Sequence, residues 1–536
     1  MVSTTGAAPR TAPVFSGEGL VRGVQERLRE RLHLVRDPGT RAVGIAFDDS
    51  AASGNALDAP GEGPELVGTL PPGYPEWLGD RAFGIAHGVR FPYVAGEMAN
   101  GIATTDMVVA MAEADMLGFF GAGGLDHRRV EAAVAELGRR LAGRRNWGVN
   151  LIHSPSEPAL EEKVADLLLA HRVPVVSASA YMALTPAVVR CSASGLTTDR
   201  SGRIVRRTRL FAKVSRPEVA QQFMSPAPPA ILDALLANGR ITPTEAELAA
   251  RAPVADDVTV EADSGGHTDN RPLSVLLPVL LDLSTTLAAR FGGPPVRVGA
   301  AGGLGTPRSV AAAFAAGAAY VVTGTVNQVS TEAGLSAVGK ELLAAADIAD
   351  VCMAPASDMF ELGVRLQVLR RGTLFPGRAA QLYEAYQTYD SLEAIPADLR
   401  TRLERDILRQ SFQEAWATTR AYWLDRDAIE VERAERDPRH LMALVFRSYL
   451  GRSSQWAISG EPSRRNDYQI WCGPAMGAFN RWTHGSFLAQ PEHRSVVQIG
   501  RNLLEGAAVV TRAQQLRAAG VAVPPAAFGF RPRPLS

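Results

Sequence analysis

Eight short apolar segments recur along the middle of the chain, each pair separated by enough residues for a helix. They are FPYVAG (91–96), LGFFGA (117–122), WGVNLI (147–152), VPVVSA (173–178), RLFAKVS (209–215), DVTVEA (257–262), VRVGAA (296–301) and AYVVTG (319–324). Between them run stretches such as TDMVVAMAEAD, RRVEAAVAELGRRL and EPALEEKVADLLLAH, whose apolar residues return at helical spacing. Such alternation predicts parallel βα units, and eight of them predict a closed (β/α)8 TIM barrel rather than an open doubly wound sheet. The first strand is not followed by a GxGxxG turn, which argues against a Rossmann domain.

The flanks set the organisation. Residues 1–85 hold a polar tail, an Arg/Glu-rich amphipathic stretch (LVRGVQERLRERLHLV) read as a helix with a solvated face, and a Pro/Gly-rich run (APGEGPELVGTLPPGYPEW) read as a linker. We read 86–340 as the barrel and 341–536 as a mainly helical C-terminal domain, because LYEAYQTYDSLEAI, LRQSFQEAWATTRAYW and RHLMALVFRSYLG place aromatics at helical spacing. The segment at about 223–256, between strands five and six, exceeds an ordinary βα connection and predicts a helical insertion, either a wall at the catalytic rim or a solvent-side addition. WCGPAMGAFNRW (471–482), Gly-containing and apolar, reads either as contact with the active-site mouth or, as the safer reading, as packing.

Charge and cysteine content exclude some classes. With 56 basic and 56 acidic residues the formal net charge is zero, so nothing favours nucleic acid or an anionic membrane as partner. Cys191, Cys352 and Cys472 are too far apart for a metal-ligand pattern, and no metal site is expected; they fit a reduced, cytoplasmic protein. The start of the sequence has no secretion signal, and no uninterrupted apolar run is long enough to span a bilayer.

In a TIM barrel the chemistry sits at the C-terminal ends of the strands. There stand Gly96, Glu97, Met98 and Asn100 after strand one, Asn150 on strand three, Lys213 on strand five, and Glu261, Asp263 and the Gly265–Gly266–His267 run after strand six. Strands seven and eight run into Gly302–Gly303 and Gly324–Thr325. The loops after these two strands often hold a phosphate, and glycines let backbone N–H groups approach one. A helix starting near Thr306–Pro307 would add its N-terminal dipole. A phosphate-bearing mononucleotide cofactor fits this pattern better than glycines that merely make tight turns. His267 is open to two readings, a hydrogen-bonded loop histidine or a proton donor. Lys213 either contacts cofactor or substrate or forms an ion pair with Glu261. His87 and His153 read as structural.

The motifs VEADSGGHTD, VGAAGGLGTP and VVTGTVNQ resemble the FMN-dependent enoyl-acyl-carrier-protein reductases and nitronate monooxygenases. WGVNLIHSP, AKVSRPEVA, MAPASDMFELG and DYQIWCGPAMGAFN are similar to the PfaD-type trans-acting enoyl reductases of polyunsaturated fatty acid and polyketide synthases. The resemblance runs over roughly residues 75–515. It implies a catalytic His267 and an FMN site formed by Gly96, Met98, Asn150, Glu261, Gly302, Gly303, Gly324 and Thr325, with Asp263 as an alternative to Glu261; the cofactor reading of Lys213 comes from its place at the barrel mouth. It further implies hydride from NADPH or NADH, passed through FMN to Cβ of an enoyl thioester on an acyl carrier protein, with a proton from His267 reaching Cα. The basic segments RSGRIVRRTR (200–209) and LRRGTLFPGR (369–378) read either as ordinary solvated basic runs or as docking surfaces for an acidic carrier, and for docking Arg370, Arg371 and Arg378 are favoured. A homodimer is compatible with all of this. Competing readings are a nitronate monooxygenase-like flavin oxygenase and a non-catalytic synthase scaffold.

Overall fold

The computed structural model describes residues 13–48, 64–154 and 157–535. All eight predicted strands form. We label them β1 (Tyr93–Ala95), β2 (Leu117–Phe120), β3 (Trp147–Ile152), β4 (Val175–Ser179), β5 (Arg209–Val214), β6 (Asp257–Glu261), β7 (Arg297–Ala301) and β8 (Val321–Thr323). Every neighbouring pair is parallel, and the ring closes where Val321 of β8 meets Tyr93 of β1. The strands are short and almost wholly buried because helices cover their outer faces while side chains fill the interior.

The N-terminal end of the barrel is plugged by aromatic rings. Phe83 stacks on Tyr320 at 4.4 Å, and Phe211 meets Phe119 edge-on at 5.2 Å. Beneath them His87 Nε2 lies 2.8 Å from Asp257, whose carboxylate also accepts from Arg297 at 2.6 and 2.9 Å. His87 therefore belongs to the closed end of the barrel, away from the loops where chemistry is expected.

Two readings of the N-terminal region need correction. The helix ends at Glu26, and Leu32–Arg36 is the central strand of a three-stranded antiparallel sheet, flanked by Val43–Phe47 and Glu65–Leu70. The "linker" thus contributes an edge strand. Leu32 and Val35 are buried there, and hydrogen bonding on both edges overrides the helical propensity of the Arg/Glu-rich stretch.

Beyond β8 the chain builds a second apolar core around Phe360, Phe375, Phe412 and Phe446, then returns to the barrel. Helix Val496–Ala518 packs along helix Pro307–Ala315 and completes the barrel wall. Gly500 seats it on Tyr93, whose ring would lie 2.7 Å from an added Cβ, and Gly506 seats it on Pro307. The N-terminal helix Gly17–Glu26 packs on this last helix, so one continuous apolar core crosses residues 85 and 340.

The helical insertion forms Pro229–Ala237 and Pro243–Ala249. Both pack on helix Pro186–Ala193 at the barrel's outer wall, and none of their residues lines the cavity described below. Helix Leu273–Phe291 is long and apolar enough to cross a membrane by length and composition, but it connects β6 to β7 and buries Leu276, Leu277, Leu280 and Leu287 against the barrel.

Candidate active site

The C-terminal ends of the strands open into a cavity of about 2000 Å³. Pockets for small ligands usually measure roughly 300–1,000 Å³, so this one has room for more than a cofactor. Gly96, Met98, Asn150, Lys213, Glu261, His267, Gly302, Gly303, Gly324 and Thr325 all line it. Its outer wall comes from the C-terminal region, including Asp358, Tyr422 and Arg447.

On the β7 side Gly302 and Gly303 both have positive φ, +92° and +71°. A Cβ on Gly302 would sit 2.8 Å from the Ala262 carbonyl carbon, whereas one on Gly303 would enter open space. The first glycine is needed for close passage under the β6 loop, and the second leaves its backbone bare to the cavity. Gly324 starts the short turn Thr325–Val329, and only Met98 lies within 4 Å of its missing Cβ. Helix Pro307–Ala315 follows these glycines, is capped by Thr306 and packs on Gly506.

WCGPA (471–475) reaches this site, the less favoured of its two sequence readings. Gly473 N–H donates to Thr325 Oγ1 at 3.4 Å, Gln328 Nε2 donates to the Trp471 carbonyl at 2.6 Å, and Trp471, Gly473 and Ala475 line the cavity. Two lining residues, Gln328 and Ser264, have buried side-chain oxygens with no hydrogen-bond partner among the described residues. Buried polar atoms of this kind call for a bound group or water.

At the barrel centre Lys213 pairs with Glu261 at 2.9 Å and with Glu97 at 3.5 Å. Burial works against the ammonium, but the two carboxylates outweigh it and hold Lys213 well above its ordinary range. Burial pushes the Glu97 carboxyl up, and Lys213 offsets this only in part. Ser177 also donates to Glu97 at 2.9 Å. The ion pair between Lys213 and Glu261 is thus present. Glu97, which the sequence places only among the residues after strand one, is its third member. Asp263 is drawn aside instead, accepting from Gln367 Nε2 at 2.6 Å. Asn150 donates through Nδ2 to the Ser177 carbonyl and to Ser179 Oγ, at 3.0 and 2.8 Å. Gly96 N–H donates to the Thr323 carbonyl at 2.9 Å and extends the closing β1–β8 seam.

His267 stands on a two-residue strand, Gly266–His267, that pairs with Arg365–Leu369 of the C-terminal region. Its Nε2 lies 3.2 Å from Asp358 Oδ1. Burial disfavours a charged ring, but the hydrogen bond and charge of Asp358, with Glu261 further away, outweigh it and raise the imidazole above its ordinary value. The pair sits at the open rim, His267 being 37% and Asp358 50% exposed, so solvent screens their attraction.

The basic docking segments fare differently. Arg378 is bound to Asp467, a carboxylate with no exposure, and Arg371 pairs with Asp350 at 3.2 Å. Arg378 serves the interior of the C-terminal core and cannot be a free docking cation. In the other segment Arg206 is buried and donates to the Ser192 and Pro253 carbonyls, below β5.

Comparison with known proteins agrees with this architecture. Residues 84–412 match the nitronate monooxygenase family, and residues 389–468 match the inserted helical domain of [acyl-carrier-protein] S-malonyltransferase. One polyunsaturated fatty acid synthase polypeptide of Thraustochytrium sp. is 47% identical over 448 residues, which is 82% of this chain and 30% of that protein. The polyketide biosynthesis protein PksE of Bacillus subtilis is 42% identical over 436 residues, 81% of this chain and 56% of that protein. The chain therefore spans only part of these curated relatives. The crystal structure of the enoyl reductase domain of MlnA, from the macrolactin biosynthesis cluster of Bacillus amyloliquefaciens, superposes with a TM-score of 0.79 at 35% identity, covering 83% of this chain and 99% of that one. The chain belongs to the nitronate monooxygenase family, and within it to the PfaD-type branch of polyunsaturated fatty acid and polyketide synthases.

Proposed function

We propose that the protein is an FMN-dependent, NAD(P)H-linked enoyl reductase that acts on α,β-unsaturated acyl thioesters presented by an acyl carrier protein during polyketide or polyunsaturated fatty acid biosynthesis. The observation that carries this reading is the placement of a histidine with a raised proton affinity, His267, in the same cavity wall as two bare glycine loops. A relative named as a polyunsaturated fatty acid synthase subunit, another named as a polyketide biosynthesis protein, and a structural neighbour described as an enoyl reductase domain support the reaction class.

The residues fit FMN. Gly302–Gly303 and Gly324–Thr325 would hold its phosphate, and the unpartnered Gln328 and Ser264 oxygens offer hydrogen-bonding positions beside them. Gly96, Met98, Asn150 and the Lys213–Glu261 pair would border the ring. When bound, FMN supplies the hydride relay between NAD(P)H and the unsaturated thioester. Lys213 contributes a fixed positive charge whose two carboxylate partners keep it oriented. His267, whose proton affinity Asp358 raises, would hold the proton that Cα requires, and its Nδ1 is the ring nitrogen left without a described partner. The cavity's volume beyond the barrel mouth leaves space for a thioester on a pantetheine arm. The match of residues 389–468 to a helical module of an acyl-carrier-protein transferase supports a carrier-borne substrate.

Asp358→Asn tests the charge argument. The carboxylate raises the imidazole, so its removal lowers the folded value, and the alkaline limb of kcat/KM should move toward lower pH. An unchanged limb would mean that His267 is not the titrating acid. The function itself is tested by supplying the purified holoenzyme with NADPH and either crotonyl-pantetheine or a nitronate. Crotonyl-dependent NADPH consumption is expected. Turnover of the nitronate with none of the thioester would instead favour the oxygenase reading.

A further inference from the structure

A second histidine faces the same cavity, three strands round the barrel from His267. His153 follows β3, and its N–H donates to the Ser179 carbonyl at 3.0 Å, extending the β3–β4 ladder by one step. Its Nδ1 lies 2.8 Å from Glu161 Oε2, and its ring stacks on Tyr181 with centroids 5.0 Å apart. Glu161 is 5% exposed and also accepts from Tyr181 at 3.1 Å, Thr185 Oγ1 at 2.5 Å and the Ser154 N–H at 3.4 Å. Three further donors hold Glu161, and Glu161 and the stacked tyrosine fix the ring. A carboxylate only accepts, so Nδ1 carries a hydrogen and the nitrogen left for other work is Nε2. No described residue partners Nε2, and the 20%-exposed side chain lines the cavity. His440, which also lines it, differs: carboxylates face both its nitrogens, Glu430 at 3.0 Å and Glu361 at 3.8 Å.

We propose that His153 binds the substrate's thioester carbonyl oxygen through Nε2–H and stabilises the negative charge that develops there. The proposal rests on the enoyl reductase reading. As hydride, supplied by NAD(P)H, bonds to Cβ, the Cα–Cβ π pair shifts to Cα and the carbonyl oxygen. His267 gives its proton to Cα, and the C=O double bond is restored. In this role His153 acts as the doubly protonated ring: Nδ1–H donates to Glu161, Nε2–H donates to the carbonyl oxygen, and neither proton is transferred. The two histidines present different nitrogens, since Asp358 occupies Nε2 of His267 and Glu161 occupies Nδ1 of His153.

The discriminating variant is His153→Asn, whose side-chain N–H group takes the place of Nδ1–H against Glu161 while Nε2 is lost. His153→Ala accompanies it. With the holoenzyme, both should lose about 10²–10³-fold in kcat toward crotonyl-pantetheine with little change in KM, the size seen when a donor to a developing oxyanion is removed. FMN content, reduction by NADPH and reoxidation by ferricyanide, an acceptor with no carbonyl, should match the parent. His153→Asn turning over crotonyl-pantetheine at the parental rate would overturn the proposal. Equal loss with ferricyanide would overturn it too, by making His153 a support for the cofactor. If the parent protein itself fails to reduce crotonyl-pantetheine while ferricyanide turnover persists, the enoyl reductase reading falls and takes the proposal with it.

Discussion

Gly303→Asp should give a protein that is purified without FMN and does not take it up. The backbone there has φ of +71°, and the open space in front of it belongs to the cavity. An aspartate would project its carboxylate into the position proposed for the phosphate, setting like charges against each other and displacing hydrogen bonds to an anion. Such bonds contribute roughly 1.5–3 kcal/mol each, so losing two weakens binding by about 10²–10⁴-fold at ~1.4 kcal/mol per factor of ten. Gly303→Ala separates charge from backbone strain. Its methyl group meets nothing within 4 Å, and the left-handed conformation costs a non-glycine residue only about 1–2 kcal/mol. Equilibrium dialysis with FMN should therefore show weakened binding in the alanine variant and none in the aspartate variant. Retention of FMN by Gly303→Asp would move the phosphate elsewhere.

His267→Ala should keep FMN and its reduction by NADPH while slowing the oxidative half-reaction with an enoyl thioester by about 10²–10⁴-fold, the range for loss of a positioned general acid. The separation is expected because His267 stands on the rim strand and pairs with Asp358, while the glycine loops follow β7 and β8 and Lys213 is held by Glu261 and Glu97. Stopped-flow measurement of the two half-reactions checks it. Parental reoxidation by crotonyl-pantetheine would remove His267 as the donor.

The barrel was legible because each strand is a short β-branched or aromatic run buried on both faces, a pattern that helices at 3.6-residue spacing cannot imitate over eight repeats. The rim could be located for the same reason: once the strands are placed, their C-terminal residues are placed with them. What the sequence concealed depends on partners far along the chain. Asp358 meets His267 across 91 residues, and nothing near either residue signals the other. Trp471 and Gly473 reach the β8 loop from a segment whose composition reads as core. Leu32–Arg36 is a strand only because Val43–Phe47 and Glu65–Leu70 pair with it, and Arg378 reads as a surface cation until Asp467 is seen beneath it. Glu161 lies eight residues from His153, yet the two meet only because Glu161 sits at the start of helix Pro158–Ala170.

The most direct test of an FMN-dependent enoyl reductase is a single turnover without oxygen. The holoenzyme is bleached with one equivalent of NADPH and mixed with crotonyl-pantetheine, and both the flavin spectrum and the thioester are followed. The oxidised FMN spectrum should return as one butyryl thioester forms per flavin. A spectrum that stays bleached until oxygen or a nitronate is admitted, with crotonyl thioester recovered intact, would contradict this function.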